Sequence, residues 1–268
     1  MKSTTHLARL GILGVALCPL LLAADDSAPP KTETAVNADN VLRQMSDKLA
    51  AANKFSFTAR RRIDHDLSGG DGLHGSTKIV VIVQRPDKMA ATASLPHDTR
   101  RFYFDGKQLT LVDVQKKVYS TVPMAVSLDK LPSELAAIYG FTPPVAEFII
   151  SDLYQDLKWR AASIEDRGVG VIHEGFLGLK RVRCHRVGLT GAHADSELWI
   201  GVEDLLPRRW VSTLKRDTGN VEIRIELSKW KLEAKTRGDE FVYSPGKDVI
   251  RIQMVSEAEM AASRKAIK

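Results

Sequence analysis

The sequence predicts an α+β fold in which helices cover one apolar face of an antiparallel sheet. Three observations lead there. Segments of period-two hydrophobicity dominate residues 55–121 and again the stretch from about 171 to 254. Helical periodicity is confined to a leading segment and to a Pro-punctuated middle. Connections between strand segments are mostly too short for the crossovers a parallel sheet requires. No internal repeat and no second domain is visible, and 268 residues with 44% hydrophobic and 27% charged composition suit one β-rich globular domain.

The chain begins as a secretory leader. Lys2 and Arg9 precede an uncharged run from Leu10 to Leu22, and Ala23 and Ala24 offer a cleavage site. The run is too short for a comfortable membrane span. Residues 1–24 therefore read as a cleaved signal peptide and the protein as periplasmic. Val15-Ala16-Leu17-Cys18 resembles a lipobox, but Leu17 is bulky and Pro19 follows, which argues against lipid anchoring at Cys18. Losing Lys2 and Arg9 lowers the net charge from +6 to +4. That modest basic excess suits an envelope surface and does not indicate nucleic acid. Cys184 is then the single cysteine, so no internal disulfide forms.

Residues 25–38 read as a flexible linker, 39–256 as the folded domain, and 257–268 as a charged tail. A helix starts near Asn37–Asn40, with Leu42, Met45, Leu49 and Ala52 on one face. In FSFTARRRI, Phe55, Phe57 and Ala59 alternate with polar neighbours as in a half-buried strand. SGGDGLHG (68–75) is a hairpin turn. KIVVIVQRP (78–86) is apolar on both faces, so cover is expected on both sides. Strands follow at 89–95, 100–105, 108–114 and 117–121, with a tight turn at Asp105-Gly106. Helices are expected at 131–139 and at 144–157, the second with Val145, Phe148, Ile149 and Leu153 on one face. VEIRIEL (221–227) is the clearest later strand.

Chemistry-bearing patterns are few. No pair among His65, His74, His97, His173, His185 and His193 has a typical zinc spacing. Cys184 and His185 are adjacent on a strand, so they face opposite sides, and Cys184 reads as a small buried apolar group. No nucleophile elbow or phosphate loop occurs. Asp64, His65 and Asp66 lie where solvated turn residues are expected. Arg60-Arg61-Arg62 could meet lipid headgroups, although basic residues on a strand ordinarily mark its solvent side. Trp159, Trp199, Trp210 and Trp230 suit a ligand cavity or a core equally.

Six segments carry a resemblance: VLRQMSDKLAAANKFSFTAR, GSTKIVVIVQRPDKM, RRFYFDGKQLTLVDVQKKVYSTV, GFTPPVAEFIISDLY, ELWIGVEDLLPRRW and DEFVYSPGKDVIRI. In this order, over about 39–255, they resemble the periplasmic lipoprotein-carrier superfamily typified by LolA, which includes LppX and the sensor domain of RseB. Within it they are most similar to a family of predicted periplasmic proteins, domain of unknown function 2092. The resemblance implies a strongly curved, incomplete antiparallel β-barrel with an N-terminal helix and a two-helix lid insertion. It also implies a hollow that shelters an acyl chain or other apolar molecule, with no cofactor and no catalysis. Cavity candidates are Phe57, Val81, Val83, Phe102, Phe104, Leu111, Phe148, Ile149, Leu198, Ile223 and Ile225. Arg85, before Pro86, stands where the carriers have an arginine that controls the lid. Trp199 and Ile200 should face opposite sides of the wall, with Arg208 and Arg209 near its edge. The expected partner is a lipid or acylated ligand, with an inner- or outer-membrane protein as a further partner, and the chain is expected to be a monomer. The alternatives are a sensory module that binds a membrane partner's periplasmic segment and, more remotely, a hydrolase with unrecognised residues.

Overall fold

The computed structural model describes residues 37–65, 75–217 and 219–266. The leader, Cys18, most of the linker, Asp66, His74 and most of the 68–75 turn lie outside the described residues, as do residues 267–268.

Helix α1 (Ala38–Ala51) opens at Asn37, whose side chain accepts a hydrogen bond from the Asn40 amide at 3.0 Å. Its apolar face buries Val41, Leu42, Met45 and Leu49. A first meander follows: β1 (Lys54–His65), β2 (Gly75–Gln84), β3 (Lys88–Leu95), β4 (Asp98–Phe104), β5 (Gln108–Asp113) and β6 (Val118–Pro123). The β4–β5 turn closes on Asp105, whose carboxylate accepts from the Lys107 and Gln108 amides, while Gly106 takes a left-handed φ of 87°. A second meander comprises β7 (Ala161–Glu174), β8 (Lys180–Gly191), β9 (Ala194–Gly201), β10 (Pro207–Leu214) and β11 (Val221–Lys231). Helix α1 lies against β7, β8 and β9.

The meanders join where β1 pairs antiparallel with β11, with Ala59 opposite Leu227 and Ile63 opposite Ile223. A register shift between Ser56 and Thr58, opposite the left-handed Lys229, bends this seam. A short strand β12 (Ile250–Arg251) adds parallel to β6. The twelve-stranded sheet is curved and does not close, leaving β12 and β7 as its edges.

Between the meanders lie α2 (Leu131–Tyr139), one 3-10 turn (Ala146–Phe148) and α3 (Leu153–Arg160). The continuous helix expected over 144–157 is thus broken in two. Val145 sits at a left-handed φ of 51°, and Asp152 caps α3 by accepting from the Gln155 amide at 3.1 Å. Val145, Phe148, Ile149 and Leu153, expected on one face of that helix, are all buried although they do not belong to one element. Gly140 ends α2 at φ 72° with the Glu257 side chain of the last helix, α4 (Glu257–Ala266), pressed against it.

Three other expectations change. Strand β2 is covered on one face only: Ile79, Val81 and Val83 are buried, whereas Val80 is 45% exposed. β7 begins at Ala161, ten residues before the expected resumption near 171, because this edge strand is mostly exposed and lacks the alternation that betrays a half-buried one. Arg208 is not at a rim. It is buried and ion-paired with Glu174 at 2.9 Å and with Asp204. Arg209 does stay on the outer surface, beside Glu226. Trp199 lies outside between the guanidinium groups of Arg186 and Arg209, at 5.0 and 5.1 Å, and Ile200 is buried inside.

Candidate functional site

The inner face of the first meander is a set of rungs, each a row of cross-strand partners. The innermost rung contains Phe55, Val83, Met89, Phe104 and Leu109, all fully buried. The next carries Phe57, Val81, Ala91, Phe102, Leu111 and Ser120. Then come Ala59, Ile79 and Ala93, and beyond them Arg61 opposite Thr77. Large side chains thus give way to small ones and then to polar ones along the same face.

The inserted segment crosses the middle of the concave side. Phe148 meets Phe57 of β1 edge-on at 6.3 Å and Trp210 of β10 at 5.6 Å. It fills the centre and leaves a hollow on each flank. The larger, about 810 Å³, lies over β2–β6 and is lined by Ile79, Ala91, Ala93, Phe102, Leu111 and Phe141 among others. The smaller, about 460 Å³, lies under α3 and over β8–β11, against Leu189, Trp210, Ile223 and Ile225. Both fall within the range of about 300–1,000 Å³ typical of small-molecule sites.

The eleven expected cavity residues therefore divide. Phe102 and Leu111 line the larger hollow, and Ile223 and Ile225 the smaller. Phe57, Val81, Val83, Phe104, Phe148, Ile149 and Leu198 line neither; each is 1% exposed or less and belongs to the packed centre. Sequence reasoning missed Ile79, Ala91, Ala93, Leu189 and the charged residues that border the hollows. Of the tryptophans, Trp159 and Trp210 border the smaller hollow, while Trp230 stacks on Phe57 at 4.5 Å.

Arg85 ties the first meander to the insertion. Its guanidinium donates to the Ile149 carbonyl at 2.8 Å, the Ser151 hydroxyl at 2.9 Å and the Ile150 carbonyl at 3.2 Å, and lies over the Phe55 ring. Burial pulls its pKa down, partly offset by Asp129. On the other side of the insertion, the Tyr154 amide donates to Ser46 of α1 at 3.0 Å.

Glu147, at the heart of the insertion, borders the smaller hollow. Burial pushes its carboxyl pKa up, against the opposing pull of Arg160 and Arg61. Arg61 is on the inner face, unlike its neighbours Arg60 and Arg62, which are exposed; the solvent-side reading of this triplet fails for its middle member. Cys184 is fully buried, and desolvation raises its thiol pKa to about 11, so the thiolate is suppressed. Among the described residues, no three His, Cys, Asp or Glu side chains gather to hold a metal. No described helix is long and apolar enough to cross a membrane.

The family model described as "Predicted periplasmic protein (DUF2092)" matches residues 38–255. No curated protein matches the chain significantly. Similar solved structures include LprF from Mycobacterium bovis, with 15% identity over 79% of this chain and 97% of that one, at a TM-score of 0.41. A LolA superfamily protein from Nitrosomonas europaea has 10% identity over 78% and 99%, with a TM-score of 0.35. The MucA/MucB complex of Pseudomonas aeruginosa gives 14% identity over 78% of this chain and 62% of that one, also at 0.35.

Proposed function

The chain belongs to the DUF2092 family of predicted periplasmic proteins, and from that premise we propose that it is a non-catalytic envelope protein that binds an apolar ligand on the concave side of its sheet. It reaches the periplasm through the leader at residues 1–24 and works without a cofactor. The observation that supports this reading is the pair of hollows flanking Phe148, of about 810 and 460 Å³, with apolar strand residues as their floors. Arg85 acts as the latch: its three hydrogen bonds hold residues 149–151 against the first meander, and their release lets the insertion swing and admit the guest.

Native mass spectrometry of protein released gently from the envelope tests the reading. A bound lipid or other apolar mass, displaced by competing amphiphile, supports it. A preparation that is empty and takes up no apolar probe rejects it.

One observation favours a second reading, an interaction module for a membrane partner. The β7–β8 hairpin tip holds Leu177 and Leu179 at 79% and 77% exposure, followed by the exposed Lys180 and Arg181. Recovery of one membrane protein by the parent chain, and not by a Leu177→Ser, Leu179→Ser variant, would favour it.

A further inference from the structure

Both hollows have polar atoms at their borders without a hydrogen-bond partner among the described residues, the indole Nε1 of Trp210 at the smaller and two atoms at the larger. In the larger one, two polar atoms are buried and have no hydrogen-bond partner among the described residues: Nε of Arg61 and Oγ of Ser120. Unmade hydrogen bonds at buried groups are unfavourable, above all for a charged one, and such atoms mark where a guest supplies the missing partner. The cations bordering this hollow outnumber their carboxylates. Arg100 pairs with Asp98 at 3.1 Å and Lys116 with Asp113 at 3.4 Å, whereas Arg61 and Arg101 make no ion pair among the described residues. Between these polar groups the floor is apolar and recessed, because Ala91 and Ala93 stand where larger side chains would fill the space.

We propose that the larger hollow takes a single-chain amphiphile with an anionic head, its chain lying along Ile79, Ala91, Ala93 and Phe102 and its head on the guanidinium of Arg61. This rests on the apolar-ligand reading above and names the ligand class. A guanidinium presents a planar fork that matches carboxylate and phosphate oxygens, so either head satisfies it. Thr77, directly across from the half-buried Arg61 on β2 and itself buried, adds a hydroxyl to the same corner. Glu147 is an acid within electrostatic reach of Arg61, and it does not already occupy the fork: the two make no hydrogen bond among the described residues. Burial shifts the Glu147 pKa upward, against the pull of Arg160 and Arg61.

The test is titration calorimetry of the full exported chain with three twelve-carbon probes below their aggregation limits: laurate, dodecyl phosphate and methyl laurate. The parent should bind both anions about tenfold more tightly than the neutral ester, a preference in the range of one charge-assisted hydrogen-bonded contact, and the preference should shrink with added salt. Arg61→Met should bring all three probes within about twofold of one another by removing that one contact, with methyl laurate affinity unchanged, which shows that the hollow is intact. Arg61→Lys should keep part of the preference. Equal binding of all probes by the parent, or a preference that survives Arg61→Met, overturns the head assignment while the apolar-ligand reading stands. No binding of any probe by the parent overturns both.

Discussion

The first meander and the second present inner faces built on the same alternation, yet one leaves nearly twice the room of the other. Over the first, Ala91 and Ala93 lie in the rungs next to the packed centre, and the space they leave is not reclaimed by the insertion. Over the second, Trp210 projects toward Phe148, and α3 brings Leu157 and Arg160 down onto the wall. The comparison teaches that the space under a bent sheet is set by side-chain volume in one or two rungs, not by strand number. It also separates the chemistry. The larger hollow has cations at its border, Arg61 and Arg101, that make no ion pair among the described residues, and the smaller has a half-buried acid, Glu147.

The largest effect is expected from removing the bar between the two regions. Phe148→Ala should lower stability by about 3–5 kcal/mol, the usual loss for a buried aromatic, read as a fall in the midpoint of denaturant unfolding. The two hollows then merge, and uptake of an apolar dye rises.

Next is the latch proposed for the first meander. Arg85→Leu leaves the Ile149 and Ile150 carbonyls without their donor and should destabilise by about 3 kcal/mol. Hydrogen exchange should quicken in residues 149–152 and not in β8–β10. Uniform protection across both regions would mean that Arg85 holds no independent element.

A smaller, pH-dependent effect sharpens the chemical contrast. Glu147 has a folded-state pKa raised by burial, so the folded protein holds this proton over a pH range in which the unfolded chain has released it. Its contribution is fully present below the ordinary carboxylate range and is lost as pH rises through the folded pKa. Glu147→Gln should therefore be more stable than the parent at pH 7, with the gap closing toward pH 4. Melting temperatures from pH 4 to 8 decide it; a gap that widens in acid contradicts the assignment.

The smallest effect concerns Cys184 in the second meander. With its thiol near a pKa of about 11 and no exposure, it should resist alkylation at neutral pH until the protein is denatured. Peptide mass spectrometry on the Cys184 fragment gives the answer.

How much of this was legible in the sequence depends on the kind of signal. Helix α1 and most strands of the first meander follow from local periodicity and their turn residues, and the structure places them there. The break between the 3-10 turn and α3 was hidden because apolar residues keep a helical spacing across it; the cap at Asp152 carries the contrary signal. Alternation in a strand gives the face but not the rung. Phe57 and Phe102 share a face and a rung of the first meander, yet one lies in the packed centre and the other borders space, since the insertion's route decides which rung is covered. Arg61 was accessible: Phe55, Phe57 and Ala59 set a parity that, carried on two residues, turns Arg61 inward. Glu147 was not, because its setting comes from residues of β1 and α3 distant along the chain.

The seam between β1 and β11 has a consequence for synthesis. One strand emerges near the start of the domain and its mate only after most of the chain has followed. Such distant pairing slows folding. A product terminated before residue 221 keeps the β1 margin bare, an open template for sticking to other chains. The topology thereby works as a checkpoint on synthesis: only a polypeptide that extends through β11 can hide that margin.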